Sequence, residues 1–320
     1  MKTSKLPGYK FVKKTVKGAR FLRLAQKMQI DPLDNYLIFS DPRGGSTWLT
    51  EIIKEGVSQP ILWEPLHLGF MKQFENIGFG WRQYIPEEVQ WNEAKQQFDR
   101  LFSGKILNTW LTQMTNIQEL LGAEAFIVKF CRGHMLLPYL VHNYTFKHAP
   151  IHLIRHPFAV VSSQLKHGAW NYDFTKYTIP DIPYNEVYKE HEEYLGSLKT
   201  HEEALTASWC IANKVPLSHT GNNTKWITLS YEELLLDPEK SVQRIFDRWN
   251  IDCDIKALNL TKRSVTTKAG SPISAKEQLG YWKKNLKDDQ IGRMKAVLNY
   301  FEITAYNDSV EPLITYNDLH

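Results

Sequence analysis

Four short apolar runs, each closed by a turn signal and followed by a helical pattern, constrain this chain most. Residues 36–40 run into a glycine-rich turn and a helical pattern over 47–55. Residues 125–129 precede a helical pattern over 134–143, and 151–155 end at Pro157, well placed for the first turn of a helix reaching 167. Residues 225–230 lead into Tyr231 and a helix through 249. Apolar runs this short suit strands buried on both faces, and strands joined through helices pair in parallel. The expected class is therefore α/β, a central parallel β-sheet flanked by helices.

No repeat, low-complexity tract or Gly/Ser linker divides the 320 residues, so a single domain over 1–320 is expected. Its core spans 36–301, and residues 63–116 and 170–201, rich in aromatics and poorly periodic, read as insertions around an acceptor cleft. Residues 1–34 form a basic segment in which Phe11, Val12, Val16, Ala19, Phe21, Leu22 and Leu24 predict a short amphipathic helix docked on the domain. No stretch is long and apolar enough to span a membrane. The net charge of +4 suits an anionic ligand but falls short of a nucleic-acid-binding stripe, so no nucleic-acid partner is expected. Cys131, Cys210 and Cys253 are too few and too scattered for a disulfide framework or a zinc site, which points to a reducing, cytoplasmic setting.

The segment Pro42-Arg-Gly-Gly-Ser-Thr-Trp48 carries the most chemistry. A strand running through Gly44 and Gly45 into a helix aims backbone N–H groups and the helix dipole at an anion. Arg43 adds a fixed charge, and Ser46 and Thr47 add hydroxyl donors. A Walker A loop would need Lys before the hydroxyl residue, and Gly45 stands there.

This segment, through Trp48, resembles the 5'-phosphosulfate-binding loop of sulfotransferases that use 3'-phosphoadenosine 5'-phosphosulfate (PAPS). A second stretch, Arg155-His-Pro-Phe-Ala-Val-Val-Ser-Ser163, resembles the family's 3'-phosphate segment, in which an Arg and a Ser eight positions later hold that phosphate. Weaker likenesses follow in family order: Ser230-Tyr-Glu-Glu-Leu, with Tyr231 near the nucleotide, and Gly280-Tyr-Trp-Lys-Lys. Of the cationic element before the latter only Lys276 remains, with Ser271 and Ser274 as substitutes. The resemblance implies a P-loop-like sulfotransferase fold, PAPS as donor, adenosine 3',5'-bisphosphate as product, and no metal.

In the aryl and steroid branch the base is a His two residues after a catalytic Lys. Lys129 fits that Lys, but Cys131 occupies the His position. The carbohydrate and tyrosylprotein branch places a Glu where Glu64 stands, in Trp63-Glu-Pro-Leu-His67. Glu64 is thus the expected general base, its pKa raised by Trp63, Pro65 and Leu66, with His67 in reserve. The acceptor is a hydroxyl of a carbohydrate or another small molecule. A nucleotide kinase or NTPase with a P-loop-like fold, and a non-catalytic anion- or sugar-binding module, are the competing readings.

Overall fold

The computed structural model describes residues 21, 23–170, 174–261 and 274–318. The strands are β1 (Tyr36–Ser40), β2 (Ile61–Trp63), β3 (Ile127–Phe130), β4 (Ile151–Ile154) and β5 (Ile227–Ser230). They form one parallel sheet in the order β2-β3-β1-β4-β5. The expected α/β class is the one adopted.

Every strand residue is buried, because helices cover both faces of the sheet. Side chains alternate between those faces. Tyr36 and Ile38 of β1 join Ile151 and Leu153 of β4 in a cluster with α1 (Ser46–Val57), through Leu49, Ile52 and Ile53. The same cluster takes in Val242, Ile245 and Phe246 of the helix Pro238–Trp249. On the opposite face, Leu37 and Phe39 pack with α2 (Asn92–Phe102) and α3 (Leu137–Asn143) through Phe98, Phe102, Leu137 and Leu140. A third cluster joins α4 (Pro157–Leu165), α5 (His201–Ser218) and the helix Asp288–Tyr300.

Two features depart from the sequence reading, an unread strand and a divided helix. β2 has only three residues, too few to display a period. Much of the aromatic content of 63–116 is core: Phe74, Phe79, Phe98 and Phe102 are all buried together. The helix expected from Tyr231 through 249 is two helices, α6 (Tyr231–Leu236) and α7 (Pro238–Trp249). Pro238 has no amide to continue the first helix, and it disfavours helical dihedrals at Asp237, which sits at φ −136° and caps the second helix through Lys240 N. Of the N-terminal apolar set, Phe21 is buried and Leu24 packs beside it; the others lie outside the described residues. No described helix is long and apolar enough to cross a membrane, and all three cysteines are unpaired.

Asn35 ties these layers together just before β1. Its amide donates to Phe102 O (2.9 Å) and Pro32 O (3.0 Å), and its oxygen accepts from Phe126 N at 2.8 Å. Asn35→Ala should cost on the order of 3 kcal/mol in urea denaturation, because Phe126 N–H and Phe102 C=O stay buried without partners. A loss under about 0.5 kcal/mol would show that water replaces the amide.

Candidate active site

The sheet order places β1 where the crossovers change direction, which is where open parallel sheets bind ligands at the carboxyl ends of their strands. The residues singled out in the sequence gather at those ends. β1 leads into the glycine-rich loop, β2 into Glu64, β3 into Cys131 and Arg132, and β4 into Arg155.

Gly45 caps α1 in the left-handed region (φ 94°), and a Cβ there would lie 2.3 Å from Cδ2 of the Tyr231 ring. Only glycine fits both the conformation and the contact. Gly44 is equally enclosed, since its Cβ would lie 2.2 Å from Ser40 Oγ. The first amides of α1, those of Ser46 and Thr47, lie at the positive end of the helix dipole, while Trp48 N already donates to Gly45 O at 3.1 Å.

Arg43 also has a positive φ (75°), and its Nε donates to Ser163 Oγ at 2.9 Å. Arg155 Nη1 donates to Arg43 O at 2.9 Å, and its guanidinium lies 4.3 Å from the centre of the Tyr231 ring. The two guanidiniums are therefore neighbours. Desolvation and the charge of Arg155 hold Arg43 below its ordinary pKa. Among the described residues, Arg155 Nε is buried with no hydrogen-bond partner, as is Trp48 Nε1. Trp48 meets Tyr231 edge-on at 6.0 Å, and Tyr231 Oη accepts from Gln278. Ser274 caps the helix Ala275–Leu279 through Glu277 N, Lys276 is exposed on that helix, and Ser271 lies outside the described residues.

The second half of the site is built on β2 and β3. Lys129 is 1% exposed; its Nζ donates to Glu64 Oε1 (3.1 Å) and Cys131 Sγ (2.9 Å) and lies 3.7 Å from the centre of the Trp63 ring. Cys131 Sγ lies 3.6 Å from Ser46 Oγ, so a continuous polar chain runs from the loop through Cys131 and Lys129 to Glu64. Glu64 stands at φ 43° and also meets Arg132 Nη1 at 3.4 Å. The expected rise in its pKa is overturned. Burial does push the carboxyl up, but Lys129, Cys131 and Arg132 together outweigh it and hold Glu64 below the usual carboxylate range. His67 is half-buried among Phe70, Trp81 and Trp110, at ring-centre distances of 4.8, 5.1 and 4.7 Å, and desolvation and Arg132 lower its pKa.

Beneath the loop lies a buried network that sequence reasoning missed. Asp41 pairs with Arg82 Nη2 at 2.5 Å, accepts from Asn213 Nδ2 at 2.7 Å, and faces His134 Nε2 at 3.6 Å. Asn213 also meets His152 Nε2 at 3.1 Å. An acidic residue one position before Pro42 was the one available signal. Behind Arg155, Glu232 accepts from His156 N (3.0 Å) and from Tyr306 Oη (2.8 Å), fixing the turn into α4. Among the described residues no group of three or more His, Cys, Asp or Glu side chains is placed to hold a metal ion.

Neither a family model nor a curated protein matches the chain. Solved structures do. A sulfotransferase domain from the curacin biosynthetic pathway is 16% identical at a TM-score of 0.45, over 84% of this chain and 97% of that one. A sulfotransferase domain from the Synechococcus PCC 7002 olefin synthase is 17% identical at 0.43, over 84% and 95%. A mouse sulfotransferase complexed with PAP is 12% identical at 0.46, over 91% of each.

Burial holds His134 down to about 4, and His152 and His156 down to about 3. These rings stay neutral in the fold while the unfolded chain protonates near 6.5, so stability must fall as pH drops from about 6.5 toward 4. Each contributes about 1.4 kcal/mol per pH unit in that window. Glu232, whose carboxyl burial pushes up, acts in the opposite sense. Urea denaturation should therefore show a loss of about 2–4 kcal/mol between about pH 7 and 5.5. A flat profile would mean that the imidazoles protonate inside the fold.

Proposed function

We propose that the chain transfers a sulfuryl group from PAPS to a hydroxyl acceptor, with Glu64 as general base. The observation that supports this most is the unbroken chain from Ser46 through Cys131 and Lys129 to Glu64, beside two neighbouring arginines. Two close guanidiniums whose surroundings supply carbonyl, hydroxyl and ring partners suit an anion more than a structural role.

The residues fit the donor. Arg155, with its unpartnered Nε, and Ser163 would hold the 3'-phosphate. Arg43, the Gly44 and Gly45 backbone, Ser46, Thr47 and Trp48 would cradle the phosphosulfate end at the helix N-terminus, with Tyr231 beneath. Ser271, Ser274 and Lys276 remain candidates for the nucleotide's outer side. The bound donor supplies a sulfuryl group whose bond to the phosphate oxygen breaks as the acceptor oxygen bonds to sulfur.

Glu64 is ionised at neutral pH and takes the acceptor's hydroxyl proton. Its carboxylate is weakly basic while Lys129 holds it. As negative charge grows on the departing phosphate, Lys129 turns toward that charge, its hold on Glu64 loosens, and the carboxylate gains basicity. Lys129 therefore links leaving-group stabilisation to proton removal. His67, neutral and in contact with Phe70, Trp81 and Trp110, is the second candidate for that proton.

Calorimetric titration with adenosine 3',5'-bisphosphate, beside ADP and beside ATP with magnesium, tests the donor. The bisphosphate should bind at least tenfold more tightly than ADP. Equal or better binding of ATP with magnesium would transfer the case to a nucleotide kinase. Glu64→Gln should lower turnover of labelled donor about a hundredfold or more while leaving bisphosphate affinity intact. Near-normal turnover in that variant, with loss in His67→Gln, would move the base to His67.

A further inference from the structure

Two of the large apolar side chains left open to solvent, Phe70 (51% exposed) and Trp81 (46%), lie against His67, three residues after Glu64. Isolated exposed aromatics need no explanation, but these belong to one assembly. Phe70 stacks on Trp110 at 4.2 Å with 16° between the planes, and His67 meets Phe70, Trp81 and Trp110 in turn. The assembly is fixed to the candidate base, since Trp110 Nε1 donates to Glu64 O at 3.1 Å. It therefore forms a shelf tied to the backbone of Glu64.

The charge on that shelf is unbalanced. Arg132 lies 4.7 Å from the Trp81 ring, and its ion pair is with Glu64, at 3.4 Å. Glu64 already answers the fully buried Lys129 at 3.1 Å, so one carboxylate serves two cations. Lys129 Nζ is covered by Glu64, Cys131 and Trp63, whereas Arg132 lies at the shelf's edge, 18% exposed. A guanidinium over an indole face keeps N–H edges available to an anion, and two oxygens of a carboxylate or a sulfate match that fork. We propose that this shelf takes an acceptor with a flat ring face and an anionic substituent, the ring lying against Trp81 and Phe70 and the anion on Arg132.

This inference rests on the sulfuryl-transfer reading for the word acceptor, but its physical content is a binding preference. An anion drawing Arg132 away from Glu64 would also remove one of the charges that weaken the carboxylate as a base. The acceptor's own charge would thus help to activate the group that deprotonates it.

Quenching of tryptophan fluorescence tests it on the full chain, with and without saturating adenosine 3',5'-bisphosphate. The probes are phenyl β-D-glucuronide, phenyl β-D-glucoside and methyl β-D-glucuronide. The phenyl glucuronide should bind about tenfold more tightly than the phenyl glucoside, one charge-assisted contact's worth. Arg132→Gln should abolish that preference, Arg132→Lys should keep part of it, and Trp81→Ala should weaken both phenyl probes alike. Methyl glucuronide binding as well as the phenyl form would assign the sugar face to the shelf; tenfold weaker binding would assign the aryl ring. Equal affinity of the phenyl glucuronide and glucoside, or binding of neither, overturns the proposal, and bisphosphate binding in the same samples separates that result from failure of the donor reading.

Discussion

A lysine ammonium shut away from solvent governs this site. Removing one such charge from water costs several kcal/mol unless partners replace the water. Lys129 meets that cost with a carboxylate at 3.1 Å, a thiol at 2.9 Å and the face of Trp63 at 3.7 Å. Those partners come from β2, from the turn after it, and from the end of β3 itself. The charge therefore pins the end of a three-residue edge strand that hydrogen bonding alone would hold weakly. It also explains why Glu64 accepts a left-handed backbone at φ 43°, a conformation costing an ordinary residue about 1–2 kcal/mol. The turn bends so that its carboxylate reaches back to the ammonium.

A second buried pair stabilises the other half. Asp41, inside the glycine-rich loop, binds Arg82 from the segment 63–116 and Asn213 from α5. Breaking such a pair strands a buried charge, at roughly 3–5 kcal/mol. The loop proposed to offer its amides to an anion is thus held from below by two distant parts of the chain. The proposed acceptor shelf belongs to the segment that carries Arg82. The glycine-rich loop and the proposed shelf are thereby linked through the Asp41–Arg82 pair, next to Trp81, as well as through the sheet.

The sequence made some of this legible and hid the rest for definite reasons. β1 and its loop were readable because an apolar run, two glycines and a hydroxyl-rich helix start are all local signals. Arg43, Arg155 and Ser163, far apart in sequence, could be grouped only through resemblance, and they do meet in space. α5 went unread because it is buried on several sides: Trp209, Cys210, Ile211, Ala212 and Asn213 are consecutive and all enclosed, so no amphipathic stripe appears. The error over Glu64 has the same origin. Its sequence neighbours Trp63, Pro65 and Leu66 are apolar and suggested desolvation, which does occur. The charges that outweigh it stand at 129 and 132, on another strand.

Cys131 shows how the chemistry follows from packing. The position two residues after Lys129 is enclosed between the ammonium and Ser46. Burial pushes the Cys131 thiol above its ordinary pKa. It therefore remains neutral, leaves the charge of Lys129 uncancelled, and is a poor proton acceptor at physiological pH. A thiolate there would neutralise the ammonium and free Glu64 from it, removing the coupling on which the proposed mechanism relies. With this position turned toward Ser46, the proposed base comes from the neighbouring strand end, where Glu64 is paired with Lys129 and Arg132. On that proposal, the cysteine at 131 and the carboxylate after β2 are two parts of one arrangement at the end of β3.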